Sequence, residues 1–182
     1  MKKLVLLVAA LLLIIASPVM AKEGFYIGVY LPTTSLSGDA GSVDSGSGLG
    51  FRAGMGLNRY FAIEGTYEKT SHDSTFGTAD LKGAAVNAKL NFPLTTLDSQ
   101  KIMSVEPYAK LGFGSYELSY ANTAIGKGSG TGVQYGIGVE LYLFRELSIN
   151  AGWTKTKVDL DFTTKASADI KTIDIGLMYH FL

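Results

Sequence analysis

Cysteine is absent from this 182-residue sequence, and proline occurs only four times. Without cysteine there is no disulfide framework to hold a small exported fold, and no thiolate metal centre. Charge of one sign is missing too, since 16 basic side chains balance 16 acidic ones. A chain with no cationic excess has little to neutralise a phosphate backbone, so nucleic acid is excluded as a partner. Heptads and helical periodicity of useful length are lacking. Beyond residue 21 no apolar run approaches the ~20 residues that a membrane helix needs, which excludes a helical membrane protein.

The first 21 residues stand apart. Lys2 and Lys3 precede an unbroken apolar run from Leu4 to Ala16. Ser17-Pro18 breaks the run, and Val19-Met20-Ala21 supplies the small or modest residues that a signal peptidase reads. This is the pattern of a cleaved secretory signal, too short to span a bilayer. Residues 22–182 then form the mature part, one domain by length, with 14 basic and 16 acidic side chains.

Glycine and aromatics are abundant: 22 Gly, 10 Tyr and 9 Phe. They sit in segments of about ten residues that alternate apolar and polar, the period of a β-strand. Eight such segments occur, near Gly24 to Leu31, Leu49 to Leu57, Phe61 to Glu68, Gly83 to Phe92, Val105 to Gly114, Val133 to Leu143, Leu147 to Thr154 and Thr172 to Phe181. The second is the clearest, with Leu49, Phe51, Ala53, Met55 and Leu57 alternating with Gly50, Arg52, Gly54 and Gly56. The connections Asn58-Arg59-Tyr60 and Arg145-Glu146 are short, and Pro93 to Ser104 is longer. On the other side lie Gly/Ser/Thr-rich stretches, Pro32 to Gly48, Ser71 to Asp80, Ala121 to Gly132 and Leu160 to Ala168, expected to be loops. Short turns at one end and longer loops at the other describe an up-and-down sheet.

Alternation alone does not say which solvent the apolar face meets; a soluble lipocalin-like barrel alternates in the same way. The minority face decides. It is built of Gly, Tyr, Asn and Thr, whereas a water-facing surface is richer in Lys and Glu and poorer in strand-weakening Gly. Turned inward, the same glycines make room for tyrosines and paired charges. The apolar face then meets lipid, with Phe25, Phe61, Tyr67, Phe92, Phe113, Trp153, Tyr179 and Phe181 near its edges as girdles. Backbone polar groups in lipid must all be paired, so only a closed barrel serves. The expected fold is all-β, an eight-stranded antiparallel up-and-down transmembrane β-barrel.

These residues resemble the small eight-stranded outer-membrane barrels of Gram-negative bacteria, of the OmpX, OmpA-transmembrane and opacity-protein type. The likeness is carried by Gly24-Phe25-Tyr26-Ile27-Gly28, Gly50-Phe51-Arg52-Ala53-Gly54 and Phe61-Ala62-Ile63-Glu64-Gly65-Thr66-Tyr67. It continues in Glu106-Pro107-Tyr108, Gly136-Ile137-Gly138-Val139-Glu140 and Gly176-Leu177-Met178-Tyr179-His180-Phe181. The last stretch, through Gly176, Tyr179 and Phe181, is similar to the C-terminal signal read by barrel-assembly machinery. The resemblance implies a location in the outer membrane, termini in the periplasm and four loops facing outward. It also implies outer-membrane lipid and lipopolysaccharide as surroundings, and leaves room for an extracellular surface partner. It does not imply one activity.

Eight ionisable residues fall on the minority face: Arg52, Glu64, Glu68, Lys89, Glu106, Lys110, Glu140 and Asp174. Three bases and five acids are expected to pair, because a buried ion is costly otherwise. Arg52 and Glu64, on adjacent segments across a tight turn, are placed to meet. An eight-stranded lumen is only wide enough for its own side chains, so a plugged core is expected, with an ion path as the alternative.

Ser71-His72-Asp73-Ser74 resembles the His-x-Ser of PagL-type lipid A deacylases, in which His activates Ser. Residues two apart on a strand stand ~7 Å apart along it, and the family's third member has no match here, so a polar loop is the expected reading. His180 is expected to be a packed lumenal residue. The run Gly126 to Gly132 reads as an outer loop, and Asp39 and Asp44 offer at most a weak site for a divalent ion. The function expected is therefore non-enzymatic, structural or in surface interaction, with no cofactor and no metal. A lipid-modifying enzyme of the PagL-like deacylase kind, or a narrow pore or hydrophobic-ligand conduit, is the alternative.

Overall fold

The computed structural model describes residues 24–38, 44–74, 77–94, 104–121, 126–161 and 165–181. The expected leader at 1–21, Asp39 and most of Pro93 to Ser104 lie outside them. Eight strands follow in order: β1 (Gly24–Gly38), β2 (Gly46–Gly56), β3 (Phe61–Ser74), β4 (Gly77–Asn91), β5 (Ser104–Tyr120), β6 (Lys127–Tyr142), β7 (Leu147–Asp161) and β8 (Lys165–His180). Each pairs antiparallel with its neighbour, and β1 closes the sheet on β8.

The register fixes the shape. From Thr33 on β1, the pairing path through Ser47, Ser71 and Asp80 reaches Ser119 on β5. The opposite path, through Ile173, Trp153 and Ile137, reaches Ala109 on the same strand. The two end points stand ten residues apart on β5, so the strands are strongly staggered and must tilt about the barrel axis. No edge is left along the paired stretches, as a sheet immersed in lipid requires.

Both described termini lie at one rim, where the Phe181 amide donates to the Phe25 carbonyl at 2.8 Å. The turns there are tight for a local reason. Asn58 Oδ1 accepts from the backbone amides of Tyr60 and Phe61 at 2.8 and 2.9 Å, an Asx-type turn that sends β2 back into β3.

From this rim upward the apolar residues of every strand face out. Ile27, Phe51, Ile63, Val86, Leu111, Ile137, Ile149 and Ile175 are all exposed on a continuous belt. A patch of that size in water would be a site of association; against lipid it is the solvent-matched surface. Inside, glycine and tyrosine fit together. A Cβ on Gly50 would run into the Tyr30 ring and one on Gly54 into the Tyr26 ring, while Gly138 gives way to the Tyr108 hydroxyl. The minority face of the sequence is thus the lumen.

Away from the termini the strands run further than the alternation indicates. They are 11 to 17 residues long, against the ~9–11 that cross a bilayer. The stretches expected as loops are largely strand. β1 continues to Gly38, β3 and β4 occupy all of Ser71 to Asp80 except residues 75 and 76, and β6 begins at Lys127. The physical reason is an exchange of faces. In this extension the outward residues are Ser35, Ser71, Asp73, Lys82, Glu117, Ser129 and Asp159, half-buried or exposed. The inward residues are mostly apolar, with Thr34, Thr70 and His72 among them: Leu36, Ala79, Leu81, Leu118, Val158, Leu160, Ala168 and Ile170 form one buried cluster, joined by Tyr116. A lipid-facing barrel is stacked beneath a water-facing one on the same strands.

Candidate functional site

The lumen of the lower barrel holds the eight ionisable residues singled out above, all buried. They are inward because each falls in the phase opposite the lipid-facing apolar residues of its strand. Strands β2 and β8 flank β1 on either side, and across the interior Arg52 of β2 and Asp174 of β8 meet at 2.5 Å. The guanidinium also donates from Nη1 to Asn150 Oδ1 at 2.8 Å and lies over the Tyr30 ring, 4.4 Å from its centroid. Glu64 is further off, 4.0 Å from Nη1. The expected Arg52–Glu64 meeting is therefore the looser contact, because the register sets Arg52 opposite Thr66 and Glu64 opposite Gly54.

Glu64 accepts from the Tyr26 hydroxyl at 3.1 Å and stands 3.9 Å from Lys110 Nζ. Glu68 accepts from the Tyr30 hydroxyl at 3.2 Å. Nearer the termini, Lys89 donates to Glu140 Oε2 at 2.7 Å and sits over the Tyr108 ring at 4.4 Å. The other Glu140 oxygen takes Ser148 Oγ at 2.8 Å and His180 Nε2 at 2.9 Å. His180 is held between the Tyr26 and Tyr142 rings, with centroids at 5.3 and 5.0 Å. Glu106 faces Glu140 in register on β5 and β6 and is buried with it.

The arrangement pairs most of its charges with its own side chains, leaving Arg52 Nε and Glu64 Oε1 buried without a hydrogen-bond partner. Where Tyr30, Arg52, Glu68, Lys110, Tyr116 and Asp174 converge, the space left is about 10 Å³, room for about one water. Above it Tyr116 donates or shares hydrogen bonds with Gln134 and Thr156 at 2.9 and 3.1 Å, and the apolar cluster begins. Sequence reasoning missed Asn150, Ser148 and Gln134 as members of these networks. Their signal was present, since each is an amide or hydroxyl in lumenal phase on an otherwise alternating strand.

His72 and Ser74 lie within β3, not on a loop. The His72 ring is buried and already engaged: Nδ1 donates to the Asp44 carbonyl at 2.9 Å, and Nε2 meets Thr70 Oγ1 at 2.8 Å. A carbonyl only accepts, so the neutral ring carries its proton on Nδ1 and offers Nε2 to the threonine hydroxyl. The Asp44 amide donates to the Asp73 carbonyl at 2.9 Å, joining this strand to the segment before β2. Of the C-terminal residues, Tyr179 and Phe181 point outward with their rings edge-to-face at 5.0 Å, and Gly176 packs against Tyr30. Among the described residues no group of three or more His, Cys, Asp or Glu is placed to hold a metal ion.

Known proteins share this architecture. A family model described as outer membrane protein beta-barrel domain matches residues 6–181. Comparison with curated proteins gives no match. Among solved structures, Neisserial surface protein A is 16% identical, with 89% of this chain and 100% of that one covered and a TM-score of 0.64. Ail of Yersinia pestis is 20% identical over 87% and 99% of the two chains, with a TM-score of 0.61. OprG from Pseudomonas aeruginosa is 18% identical over 88% and 97%, with a TM-score of 0.53. At such identities the likeness carries the fold, and the family match covers nearly the whole sequence. The closed barrel, its lipid-facing belt and that match agree on one conclusion: the chain belongs to the outer-membrane β-barrel domain family and resides in the outer membrane.

Proposed function

We propose that this is a non-enzymatic envelope protein with a closed lumen, which acts through the surface its far extension turns outward. In this reading residues 1–21 are a cleaved leader and the termini lie in the periplasm. The barrel-assembly machinery reads Gly176, Tyr179 and Phe181 during biogenesis, and membrane lipid and lipopolysaccharide surround the belt. One observation carries it. The interior is occupied twice over, by the ion-paired networks of Arg52, Asp174, Lys89 and Glu140 below and by the apolar cluster of Leu81, Leu118 and Leu160 above. Ions entering from either side meet buried salt bridges or a dry apolar layer, both unfavourable to passage.

That leaves the outer surface as the part able to meet other molecules. Ail, which shares this fold, has been solved in complex with sucrose octasulfate, a heparin analogue. A surface role also fits His72 better than hydrolysis does, since both of its ring nitrogens are engaged away from Ser74.

Two measurements test the reading. Purified protein in planar bilayers is expected to be silent, and reproducible conductance steps would overturn the closed lumen. Expression in a Gram-negative host is expected to leave the lipid A mass spectrum unchanged. Loss of an acyl chain that Ser74→Ala abolishes would replace the reading with a deacylase.

A further inference from the structure

Charge on the outward face is sorted by height. On four strands the first charge beyond the apolar belt is a lysine: Lys69 after Tyr67 on β3, Lys82 beyond Ala84 on β4, Lys155 after Trp153 on β7 and Lys171 beyond Ile173 on β8. The carboxylates of those strands stand further out, as Asp73, Asp80, Asp159, Asp161 and Asp169. A cation tier at the edge of a lipid-facing belt lies at the depth of headgroup phosphates.

The two halves of this tier differ. On β3 and β4, Lys69 holds Asp80 at 2.8 Å and Lys82 lies 4.0 Å from Glu117, which Lys127 of β6 approaches at 3.4 Å, so three lysines share two carboxylates. On β7 and β8, Lys155, Lys157 and Lys171 share one carboxylate, Asp169, which Lys155 holds at 2.6 Å. Lys157 faces Asp169 in register and Lys171 directly faces Lys155, as Lys69 faces Lys82, but here with one carboxylate beside three lysines. Like charges placed opposite one another on adjacent strands destabilise a sheet unless an anion sits between them.

Directly beneath, Trp153 of β7 and Tyr135 of β6 pack edge to face with centroids at 6.1 Å, and Tyr135 is the register partner of Lys155. Such rings settle at the membrane–water interface, which sets the lysines at headgroup level. Ser35 of β1, opposite Lys171, adds a hydroxyl at the same place.

We propose that Lys155, Lys157 and Lys171 form a docking site for the phosphate-monoester headgroup of an outer-leaflet glycolipid. The site rests on the reading above in one respect, that the far rim faces outward. Charge complementarity selects the occupant: a net positive trio accepts a dianionic phosphate, and the apolar belt below accepts the acyl chains.

The test uses the full barrel, refolded in zwitterionic nanodiscs and titrated with diphosphoryl lipid A by native mass spectrometry. The variant Lys155→Gln/Lys157→Gln/Lys171→Gln is expected to bind roughly tenfold to a hundredfold more weakly. Lys69→Gln/Lys82→Gln is expected to change binding by less than about twofold, because Asp80 and Glu117 lie against that pair and offset most of its charge. Replacing the trio by arginines should preserve binding, and dephosphorylated lipid A should bind as weakly as the glutamine variant does. Equal binding by wild type and glutamine trio would overturn the site, as would equal loss in the two glutamine variants. Phosphatidylglycerol binding as tightly as lipid A would reduce it to a general anionic surface and overturn the headgroup assignment. Displacement of the lipid by inorganic phosphate or sucrose octasulfate at equal concentration would overturn a lipid as the occupant. A cold-versus-boiled electrophoretic shift checks that each variant is a folded barrel. Labelling of a Ser167→Cys variant on intact cells reports orientation separately, with no native cysteine to interfere, so a failed site is distinguishable from a failed topology.

Discussion

Strand β5 passes through two environments, and comparing its halves explains most of the molecule. In its lower half Leu111 and Phe113 point out while Lys110 and Gly112 point in; in its upper half Glu117 points out while Leu118 points in. The hydrogen-bond ladder to β4 and β6 continues without a break across the change. Backbone pairing is indifferent to which face is apolar, and side-chain alternation only guarantees that the two faces differ. The solvent decides the rest. Lipid takes the apolar face below, and water takes the polar face above. The lower barrel must therefore store its polar groups in the lumen, whereas the upper one stores apolar groups there, as a soluble barrel does.

The comparison breaks first where the stored groups are charged. Replacing Arg52 by Met removes the partner of Asp174 and leaves a buried carboxylate without its 2.5 Å cation. A loss of about 3–5 kcal/mol is expected, the cost of breaking one side of a buried pair. The double variant Arg52→Met/Asp174→Leu should recover most of it, since it removes both charges. Urea unfolding in lipid vesicles, followed by the electrophoretic shift, measures both. A double variant no better than the single one would mean that Arg52 acts through Asn150 and Tyr30, which it also contacts.

The outward faces give a second, smaller contrast. Val86 on β4 lies in the belt, so Val86→Arg is expected to cost about 2–4 kcal/mol near mid-bilayer. Ser129 on β6 is also exposed but above the belt, and Ser129→Arg should stay within ~0.5 kcal/mol. Equal costs would mean that the lipid boundary is misplaced between the two. The same vesicle unfolding assay serves, with both variants in one background.

That boundary is also where the sequence became hard to read. The lower half was legible because Leu49, Phe51, Ala53 and Met55 alternate with glycines and Arg52 over a full crossing. The upper half carries strands too, but Thr70 to Asp80 mixes outward Ser71, Asp73 and Asp80 with inward Thr70, His72 and Ala79, and both sets contain polar residues. A pattern sought as apolar-out finds nothing there and suggests a loop. The inverted signal, apolar at Leu81 and Ala79 or at Val158 and Leu160, sits two residues apart on single strands, too short to register alone. The lumenal residues were legible as a set from their phase. Their pairing was not, because Arg52 meets Asp174 through barrel closure, and closure joins residues 122 positions apart.

The smallest expected effect lies in the upper barrel, where charge meets water. Asp80 accepts from Lys69 Nζ at 2.8 Å and from Ser71 Oγ at 2.7 Å, and these bonds, with the ammonium first, hold its carboxyl below the usual range. A carboxyl whose folded pKa is depressed adds stability that is present above its unfolded value, about 4. That stability drains away as pH falls through the folded value. The pair is half-exposed, so screening by water keeps the contribution to at most ~1 kcal/mol. Asp80→Asn should therefore be slightly less stable than the parent at pH 7, with the gap narrowing as the pH falls below about 4, a trend that denaturant midpoints across that range will reveal. A gap of unchanged size on acidification would mean that Asp80 contributes through the geometry of the Ser71 bond and not through its charge.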